Sequence, residues 1–404
     1  MKKIIVFAAI ILITSNIAAQ KFEGLALTPP MGWNSWNTFQ TNIDEKMLME
    51  IADDMVNSGM KDAGYVYLVL DDGWMAKERD ADGNLVADPV KFPKGIKHVA
   101  DYVHSKGLKF GLYNCAGTKT CGGYPGTRGY EYNDARWYAK NEVDYLKYDW
   151  CNTEGITARE AYKTMSNAIK VAGRKMIFSL CEWGDNQPWE WAKDVGHLWR
   201  ISGDISNCFD CIEDHGTWKS WGVTYIIDMR KNIRQYSGPD HWNDFDMMEV
   251  GHGLSLNEDR AHFSMWCMLA SALIAGNDLR KMSKETRAIL TDKDMVAINQ
   301  DKRGVQAYLY KQEDSVDTWI KPLMDDEIAV CFLNRSKKAM PVVYDWTNNP
   351  VNDTVSSMHI DFLKNNYAIQ NLWLKKMEGT TAKAYTASVM PHDVIVLRLN
   401  KINK

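Results

Sequence analysis

The stretch Tyr65-Val66-Tyr67-Leu68-Val69-Leu70-Asp71-Asp72-Gly73-Trp74 decides the fold class. Its first six residues form a short apolar and aromatic run that is typical of a strand buried on both faces. Two carboxylates follow directly where this strand ends. The preceding segment, Met47–Met55, repeats apolar residues at helical spacing. A helix followed by a fully buried strand is the repeating unit of a parallel α/β sheet.

The same unit recurs from about residue 27 to residue 300. We predict strands at Met31–Trp36, Tyr65–Leu70, Leu108–Tyr113, Val143–Asp149, Met176–Leu180, His197–Ile201, Trp242–Met247 and Ala270–Ile274. We predict helices near Met47–Met55, Ile96–Val103, Asn133–Lys140, Ala158–Ala172, Thr217–Asn232 and Asp259–Met268. Eight such units predict a (β/α)₈ TIM barrel, for which a doubly wound sheet is the alternative because it has similar periodicity.

Most of the predicted strands end in polar or aromatic residues, and this favours the barrel. The strand ends carry Asp71, Asp72, Tyr113, Asn114, Lys147, Asp149, Glu182, Arg200, Asp204, Asp244 and Asp246. In TIM-barrel enzymes the carboxyl ends of the strands converge on one mouth, where the active site lies. The sequence therefore predicts a cluster of acids at one end of the barrel.

The segment after residue 305 has a different pattern. Short alternating runs separated by turn residues predict strands at Thr318–Lys321, Ile328–Leu333, Val342–Trp346, Asn371–Lys375 and Val394–Leu399. This pattern indicates a C-terminal antiparallel β-sandwich. We place the barrel at residues 25–305 and the sandwich at residues 306–404. The sandwich has no comparable acid cluster, which favours a packing role over a separate sugar-binding module.

The first residues predict export. Lys2 and Lys3 precede the apolar run Ile4–Ile13, and small residues follow it, with cleavage expected after Ala19. This is the pattern of a signal peptide at residues 1–19, and the run is shorter than an uncleaved membrane anchor requires. The expected location is the periplasm or the medium, with no membrane attachment after cleavage.

Charge and cysteine content exclude several classes of protein. The formal net charge of −4 without basic blocks gives no reason to expect nucleic acid as a partner. Eight cysteines in an exported chain of this length allow disulfides but not a disulfide-built fold. Cys208-x-x-Cys211 has no second cysteine pair, so we expect a local disulfide or two free thiols there rather than zinc.

Two carboxyl groups are the usual means of cleaving a glycosidic bond. Asp149 stands out because Lys147 lies two residues earlier, on the same face of the strand. A neighbouring ammonium lowers the pKa of a carboxyl and keeps it ionised, which suits a nucleophile; a structural ion pair is the alternative. Asp204 lies on a loop containing Gly203, where it is a candidate proton donor or a helix cap.

Aromatic side chains stack on the C–H faces of sugars, although a single Trp is more often part of a core. Trp36, Trp74 and Trp183 each border a polar strand end and are the candidates for such contacts. We find no G-x-S-x-G elbow, no H-E-x-x-H helix and no P-loop in the sequence. We therefore expect neither a metal nor an organic cofactor.

Seven ordered motifs resemble family 27 of the glycoside hydrolases, the α-galactosidase or melibiase family. They are Met31–Trp36, Leu70–Trp74, Gly111–Tyr113, Tyr145–Asp149, Cys181–Gly184, Trp199–Asp204 and Trp242–Met247, and the resemblance extends to Gly276–Arg280. It implies a retaining exo-α-galactosidase with a TIM barrel. The C-terminal part resembles the family's sandwich only loosely, through Met390-Pro391-His392 and the strand after it.

The resemblance implies a role for each matching position. Asp149 matches the nucleophile and Asp204 the acid/base. The substrate-binding positions are Trp36, Asp71, Asp72, Tyr113, Lys147, Glu182, Trp183, Arg200 and Asp246. Asp71 and Asp72 match the pair that binds the galactose 4- and 6-hydroxyls, while Glu182 and Arg200 lie where the family contacts the 2-position. Cys121 and Cys151 match a disulfide beside the nucleophile.

Some positions bear on specificity or depart from the family pattern. Glu182-Trp183 favours galactose over N-acetylgalactosamine, and Asp72 favours galactose over β-L-arabinopyranose. Phe245 replaces the usual proline before Asp246 and is expected to shift that aspartate. The alternatives are an α-N-acetylgalactosaminidase, a β-L-arabinopyranosidase or a non-catalytic galactoside-binding protein. The expected partner is an oligosaccharide with terminal α-galactose, and the motifs contain no signal for an oligomeric state.

Overall fold

The computed structural model describes residues 21–402, so the predicted signal peptide lies outside the described residues. The first part of the chain alternates strands and helices. In chain order these are β1 Met31–Asn34, α1 Trp36–Phe39, α2 Glu45–Asn57, α3 Met60–Ala63, β2 Tyr67–Leu70, α4 Gly95–Ser105, β3 Lys109–Cys115, α5 Glu131–Lys140, β4 Tyr145–Asp149, α6 Ala158–Ala172, β5 Ile177–Cys181, β6 Leu198–Arg200, β7 Ile212–Asp214, β8 Lys219–Trp221, α7 Val223–Met229, β9 Trp242–Asp244, α8 Leu256–Met268, β10 Leu273–Ala275, α9 Lys284–Leu290 and α10 Lys293–Asn299. In residues 21–402 no helix combines the length and the apolar character needed to cross a membrane.

Eight of these strands form one parallel sheet in the order β10-β1-β2-β3-β4-β5-β6-β9. A parallel bridge between Met248 and Ala275 joins its two ends and closes the sheet. The strands follow one another around the sheet in chain order, as a (β/α)₈ barrel requires. The predicted TIM barrel is confirmed, and the doubly wound alternative is excluded.

The apolar patterns place each element as the periodicity predicts. Every residue of β2 and of β5 is buried, because the barrel interior covers one face and the helices cover the other. Helix α2 begins after Asp44, whose side chain accepts a hydrogen bond from the Met47 amide, and it buries one apolar face. Burying each Leu, Ile or Met of such a face stabilises the fold by roughly 1.5–3 kcal/mol.

The predicted helix at Thr217–Asn232 is wrong in its first third. Strands β7 and β8 form an antiparallel hairpin there, and helix α7 begins only at Val223. The turn between the strands uses Gly216 at a positive φ of 86°, and Asp214 Oδ1 accepts a hydrogen bond from the Gly216 amide. These local interactions favour a turn over a helix.

The C-terminal part is antiparallel, which confirms the predicted sandwich class. Its strands are β11 Tyr308–Glu313, β12 Val316–Pro322, β13 Ile328–Asn334, β14 Met340–Tyr344, β15 Val351–Asp353, β16 Met358–Ile360, β17 Tyr367–Asn371, β18 Lys376–Thr380, β19 Tyr385–Val389 and β20 Val394–Lys401. The strand predicted at Asn371–Lys375 is wrong, because β17 ends at Asn371 and a turn follows. In that turn Asn371 Oδ1 accepts a hydrogen bond from the Leu374 amide.

The sandwich packs on the barrel through α8. Strands β12, β13 and β20 contact this helix, and their inward side chains join the apolar core of the barrel. The buried Lys321 ammonium donates a hydrogen bond to the Cys267 carbonyl at 2.8 Å. Arg234 makes a two-pronged ion pair with Asp353 across the same boundary. The two parts therefore share one core as well as polar contacts.

Candidate active site

The carboxyl ends of the barrel strands and the loops after them enclose a pocket. It is lined by Trp36, Asn37, Asp71, Asp72, Tyr113, Cys121, Lys147, Asp149, Trp183, Arg200, Asp204, Asp246 and Met247. Ten of the eleven predicted catalytic and substrate-binding positions are in this set. The exception is Glu182. The structure therefore brings together side chains from seven different strand ends or the loops that follow them.

Asp149 is buried at the end of β4, and both of its carboxylate oxygens are held. Oδ2 accepts a hydrogen bond from the Tyr113 hydroxyl at 2.9 Å, and Oδ1 accepts one from the Trp150 amide at 2.9 Å. The Cys121 sulfur lies 3.5 Å from Oδ2. These contacts fix the orientation of the carboxylate before any ligand enters.

The expectation that Lys147 keeps the pKa of Asp149 low is wrong. Burial raises this pKa to about 6, and the charge of Asp204 adds to the increase. Lys147 and the two hydrogen bonds oppose the increase without cancelling it. Desolvation disfavours a buried carboxylate more strongly than one nearby ammonium favours it. With a pKa of about 6, the carboxyl is still mostly ionised at neutral pH.

Lys147 forms its ion pair with Asp71 rather than with Asp149. Its Nζ lies 2.8 Å from Asp71 Oδ2, and Asn34 Nδ2 donates to the same oxygen at 2.7 Å. Burial opposes the charge on Lys147, but the carboxylates of Asp71 and Asp149 raise its pKa well above the usual value. These two donors hold the buried carboxyl of Asp71 in a position where it can accept a hydrogen bond from a hydroxyl group of a ligand.

Asp72 is held by two backbone amides, one on a neighbouring loop and one from the residue that follows it. Its Oδ2 accepts a hydrogen bond from Gly122 at 2.7 Å, and its Oδ1 accepts one from Gly73 at 2.8 Å. A Cβ at Gly122 would lie 2.9 Å from Asp72 Oδ2, so the close approach requires glycine. Burial raises the pKa of Asp72, and the Gly122 amide opposes this shift.

The predicted disulfide between Cys121 and Cys151 is present in the structure. Cys121 precedes Gly122, which binds Asp72, and Cys151 follows Asp149 by two residues. The bond therefore ties the loop that holds Asp72 to the end of the strand that carries Asp149. Cys208 and Cys211 form a second, local disulfide, in agreement with one of the two interpretations of that motif.

Arg200 links the remaining acids of the pocket. Its Nη2 lies 2.7 Å from Asp246 Oδ2 and 3.1 Å from Asp204 Oδ1. Asp246 has a positive φ of 80° and also accepts a hydrogen bond from the Ile205 amide. The side chain of Asp204 is 40% exposed, whereas those of Arg200 and Asp246 are 3% and 4% exposed. Asp204 is thus the acid that meets solvent at the mouth.

The structure does not place Glu182 in the pocket wall. Its Oε2 accepts hydrogen bonds from the backbone and side-chain nitrogens of Asn186, at 2.6 and 2.8 Å. Its Oε1 is buried without a hydrogen-bond partner in residues 21–402. Burial raises the pKa of Glu182 to about 7, against the Asn186 bonds that lower it. Its carboxyl therefore fixes the turn that carries Trp183, and it is Trp183 that lines the pocket.

Two other candidates have structural surroundings. Trp74 is fully buried, and its indole donates a hydrogen bond to the Tyr113 carbonyl at 2.9 Å. Asp244 accepts a hydrogen bond from the Asp246 amide at 3.0 Å and does not line the pocket. The amide of Phe245 donates to Ser271 Oγ at 3.1 Å, a bond that a proline lacks. Asp246 lines the pocket despite this replacement.

The sequence interpretation missed three residues of the site. Asn34 holds Asp71 from the end of β1, and the rule that polar strand ends face the mouth would have identified it. Asn37 and Met247 line the pocket from loop and helix positions that carry no such signal. Asn37 donates its side-chain amide to Glu249, whose other carboxylate oxygen pairs with His252 at 2.5 Å.

Among the described residues, two groups have the spacing of metal ligands. One comprises Cys121, Asp149 and Cys151, and the other comprises Asp101, His104 and Glu142. In the first group both sulfurs belong to the disulfide, so neither is a thiolate ligand. The second group lies on the outer surface, away from the pocket lining.

A barrel with paired carboxyls at its mouth is the arrangement of a glycoside hydrolase. Comparison with known proteins agrees. Residues 28–301 match the family model described as alpha galactosidase A, and residues 313–399 match that of the alpha galactosidase C-terminal beta sandwich domain. The chain is 54% identical over 390 residues to "Alpha-galactosidase A" of Cellvibrio japonicus, and the alignment covers 96% of both chains.

Solved structures give the same relationship. A putative α-galactosidase of Bacteroides fragilis superposes with a TM-score of 0.86 at 40% identity, covering 94% of this chain and 80% of that one. The α-galactosidase of Saccharomyces cerevisiae with raffinose superposes with a TM-score of 0.88 at 30% identity, covering 95% of this chain and 99% of that one. The chain belongs to the α-galactosidase family, family 27 of the glycoside hydrolases.

Proposed function

We propose that the protein is a retaining exo-α-galactosidase that removes terminal α-D-galactosyl residues from galactosides. The observation that carries this proposal is the contrast between two carboxyls in one pocket. Asp149 is buried and fixed by two hydrogen bonds, whereas Asp204 is exposed at the mouth. A fixed carboxylate suits attack on the sugar, and an accessible acid suits exchange of protons with a leaving group and water.

In the first step, Asp149 attacks the anomeric carbon and the bond to the leaving oxygen breaks. Asp204 gives its proton to that oxygen, so the leaving group departs as a neutral alcohol. In the second step, Asp204 takes a proton from a water molecule, which attacks the anomeric carbon and releases Asp149. Two inversions give net retention, and retaining glycosidases in general hold their two carboxyls about 5–5.5 Å apart.

Galactose recognition is assigned to the closed end of the pocket. Asp71 and Asp72 accept hydrogen bonds from the 4- and 6-hydroxyls. The charge of Asp71 is balanced by Lys147. Arg200 and Asp246 face the opposite side of the ring, where the 2-hydroxyl lies. The family relationship and the burial of these groups support this orientation.

Preference for galactose over N-acetylgalactosamine is assigned to Trp183 rather than to Glu182. Trp183 lines the pocket, so its indole occupies space that a 2-acetamido group needs. Asp72 supports galactose over β-L-arabinopyranose, because its carboxylate can accept a hydrogen bond from the 6-hydroxyl, which arabinopyranose lacks. A non-catalytic galactoside-binding protein is disfavoured because both carboxyls are present in the pocket.

The natural substrates are assigned to oligosaccharides or polysaccharides with terminal α-galactose, of which raffinose is one. The relative from yeast was solved with raffinose. The predicted signal peptide supports export, so we propose that these substrates are met in the periplasm or outside the cell.

Hydrolysis of a chromogenic α-galactoside tests the proposal. The wild type is expected to release the chromophore, and Asp149→Asn is expected to lose at least about a thousandfold in kcat, as is usual when a nucleophile is removed. Asp204→Asn should lose less with an activated aryl leaving group, because such a group needs little protonation. Asp82→Asn, at an exposed site, is the matched control and should retain full activity. Equal rates for the wild type and Asp149→Asn would overturn the assignment.

A further inference from the structure

The hairpin whose second strand falls in the helix predicted at Thr217–Asn232 is attached to the segment that carries Asp204. We define the rim hairpin as residues 212–221, comprising β7, its turn and β8. The Trp221 amide donates a hydrogen bond to the Asp204 carbonyl at 3.0 Å, and the Ser206 amide donates to the Trp221 carbonyl at 2.8 Å. The rim hairpin and Asp204 are therefore held in a fixed spatial relation.

A close packing contact reinforces these two bonds. Gly203 faces the indole of Trp221, and a Cβ at Gly203 would lie 2.1 Å from the ring atom Cζ3. Only glycine allows the ring to lie directly against the backbone next to Asp204. The disulfide Cys208–Cys211 constrains the chain between Asp204 and β7. The base of the rim hairpin is thus rigid.

Near the turn of the rim hairpin, a tryptophan faces solvent. Trp218 is 51% exposed, and it is the only tryptophan in residues 21–402 that counts among the exposed large apolar side chains. Its indole stacks on the His215 ring at 3.9 Å between centroids and 18° between planes. The His215 ring is itself held in place, because its Nε2 lies within hydrogen-bond distance of Ser220 Oγ, at 2.8 Å. The indole of Trp218 is therefore held in a fixed orientation while much of its surface remains exposed to solvent.

We propose that Trp218, supported by His215, is a stacking platform for sugar rings of the leaving group. This rests on the proposed function, in which Asp204 protonates the glycosidic oxygen and the leaving group departs past Asp204. Aromatic faces bind sugars through their C–H surfaces, and a ring fixed in place loses little entropy on binding. The platform lies on the leaving-group side, because the rim hairpin is joined to the Asp204 segment.

The position of Trp218 defines the class of leaving group. Trp218 does not line the pocket, and three residues of extended chain, at most about 10 Å, separate it from Trp221, which contacts Asp204. We therefore assign it to rings that lie outside the pocket, beyond the first ring of the leaving group. The substrates that use the platform are therefore galactosides whose leaving group is an oligosaccharide of two or more rings, such as a galactosylated mannan chain.

Steady-state kinetics of Trp218→Ala on substrates of increasing length test the inference. The four substrates are an aryl α-galactoside, melibiose with one ring in its leaving group, raffinose with two, and a galactosylated mannopentaose. The KM for the two longer substrates should rise about tenfold, equivalent to ~1.4 kcal/mol, at unchanged kcat. The aryl galactoside and melibiose should be unaffected. Trp218→Phe should restore most of the loss, because it keeps an aromatic face.

Two controls separate the possible outcomes. Leu374→Ala removes a 65% exposed side chain in the sandwich and should leave all four substrates unchanged. If Trp218→Ala alters KM equally for short and long substrates, or for none, the inference is overturned while the proposed function stands. If the wild type cleaves none of the four, the proposed function fails and the inference fails with it.

Discussion

The floor and the rim of the pocket are built in different ways. At the floor, Asp71, Asp72 and Asp149 are buried at the ends of barrel strands, and each accepts two or more hydrogen bonds from neighbouring groups. At the rim, Asp204 lies on a loop, is exposed, and is joined to a hairpin that carries an exposed Trp218. The floor is fixed by the barrel, and the rim is fixed by local contacts within one loop.

This difference assigns different tasks to the two regions. A rigid floor recognises one sugar, since small displacements of buried hydrogen-bonding groups are costly. A loop-built rim can differ between relatives without disturbing the barrel, because loops tolerate insertions and substitutions. We therefore expect changes at the floor to abolish turnover of all substrates and changes at the rim to select among leaving groups.

Among changes that leave both catalytic carboxyls in place, the largest effect is expected from Lys147→Met, which leaves Asp71 as a buried carboxylate without its ammonium. Breaking a buried ion pair by removing one partner costs about 3–5 kcal/mol in the free energy of unfolding. The value of kcat/KM should fall at least about thirtyfold on every galactoside, since truncating one partner of a buried charged pair costs roughly 2–5 kcal/mol in binding.

Urea unfolding and kinetics on the aryl galactoside measure these effects. Lys97→Met removes an ammonium from an exposed ion pair with Asp101, and it should leave both the unfolding midpoint and kcat/KM unchanged. A Lys147→Met variant with the stability and activity of the wild type would show that the floor does not depend on this charge.

The two disulfides allow the same comparison. Cys121→Ser frees the loop that holds Asp72 and should lower kcat/KM about tenfold, or ~1.4 kcal/mol, for short and long substrates alike. Cys208→Ser loosens only the segment before the rim hairpin and should leave the aryl galactoside unaffected. Parallel kinetics on the aryl galactoside and on raffinose would reveal the difference. The comparison fails if the two variants lose activity to the same extent on the aryl substrate.

A smaller change, in specificity, is expected from Trp183→Ala. If Trp183 lies beside the 2-position as proposed, removing its indole opens space there, so the ratio of α-N-acetylgalactosaminidase to α-galactosidase activity should rise about tenfold. Glu182→Gln is the matched control. Its side chain supports the turn from outside the pocket, and the ratio should stay at the wild-type value. A change of ratio in Glu182→Gln alone would return this role to the carboxyl.

The pH dependence of kcat/KM provides the finest test of the floor. As the proposed nucleophile, Asp149 must be ionised to attack, and burial raises its pKa to about 6. The acid limb of the kcat/KM profile should therefore be half-maximal near pH 6 and fall tenfold per pH unit below it. Tyr113→Phe removes a hydrogen bond to the ionised form, so the half-maximal point should move to higher pH by less than about one unit. A shift to lower pH would contradict the account.

The sequence predicted the floor well and the rim poorly, for physical reasons. Barrel strands are short runs of mostly apolar residues buried on both faces, so their ends are easy to locate, and the polar residues at those ends face one mouth. This is why Asp71, Asp72, Lys147 and Asp149 were identified. The second strand of the rim hairpin was predicted as part of the helix Thr217–Asn232, because the apolar residues from Trp218 onward have a spacing that also fits a helix. In the structure Gly216 and Asp214 make the turn before it.

Tertiary environment explains the remaining differences. Spacing indicated that Lys147 faces Asp149, but only the structure shows that Asp71 takes its ammonium and that burial sets the pKa of Asp149. Likewise Glu182 occupies a position that the resemblance assigns to substrate contact, yet Asn186 binds its carboxylate outside the pocket wall. Which face of a strand-end turn meets the ligand depends on the backbone of the turn, and Trp183 has a positive φ of 61°.

Trapping the covalent intermediate is the most direct test of Asp149 as the nucleophile. A 5-fluoro-α-galactosyl fluoride slows release of the sugar more than its attachment, so the labelled enzyme can be digested and its peptides weighed by mass spectrometry. We expect a single fluorogalactosyl adduct on the peptide containing Asp149, and no adduct in Asp149→Asn. An adduct on another carboxyl, or rapid turnover with inversion and no adduct, would contradict it.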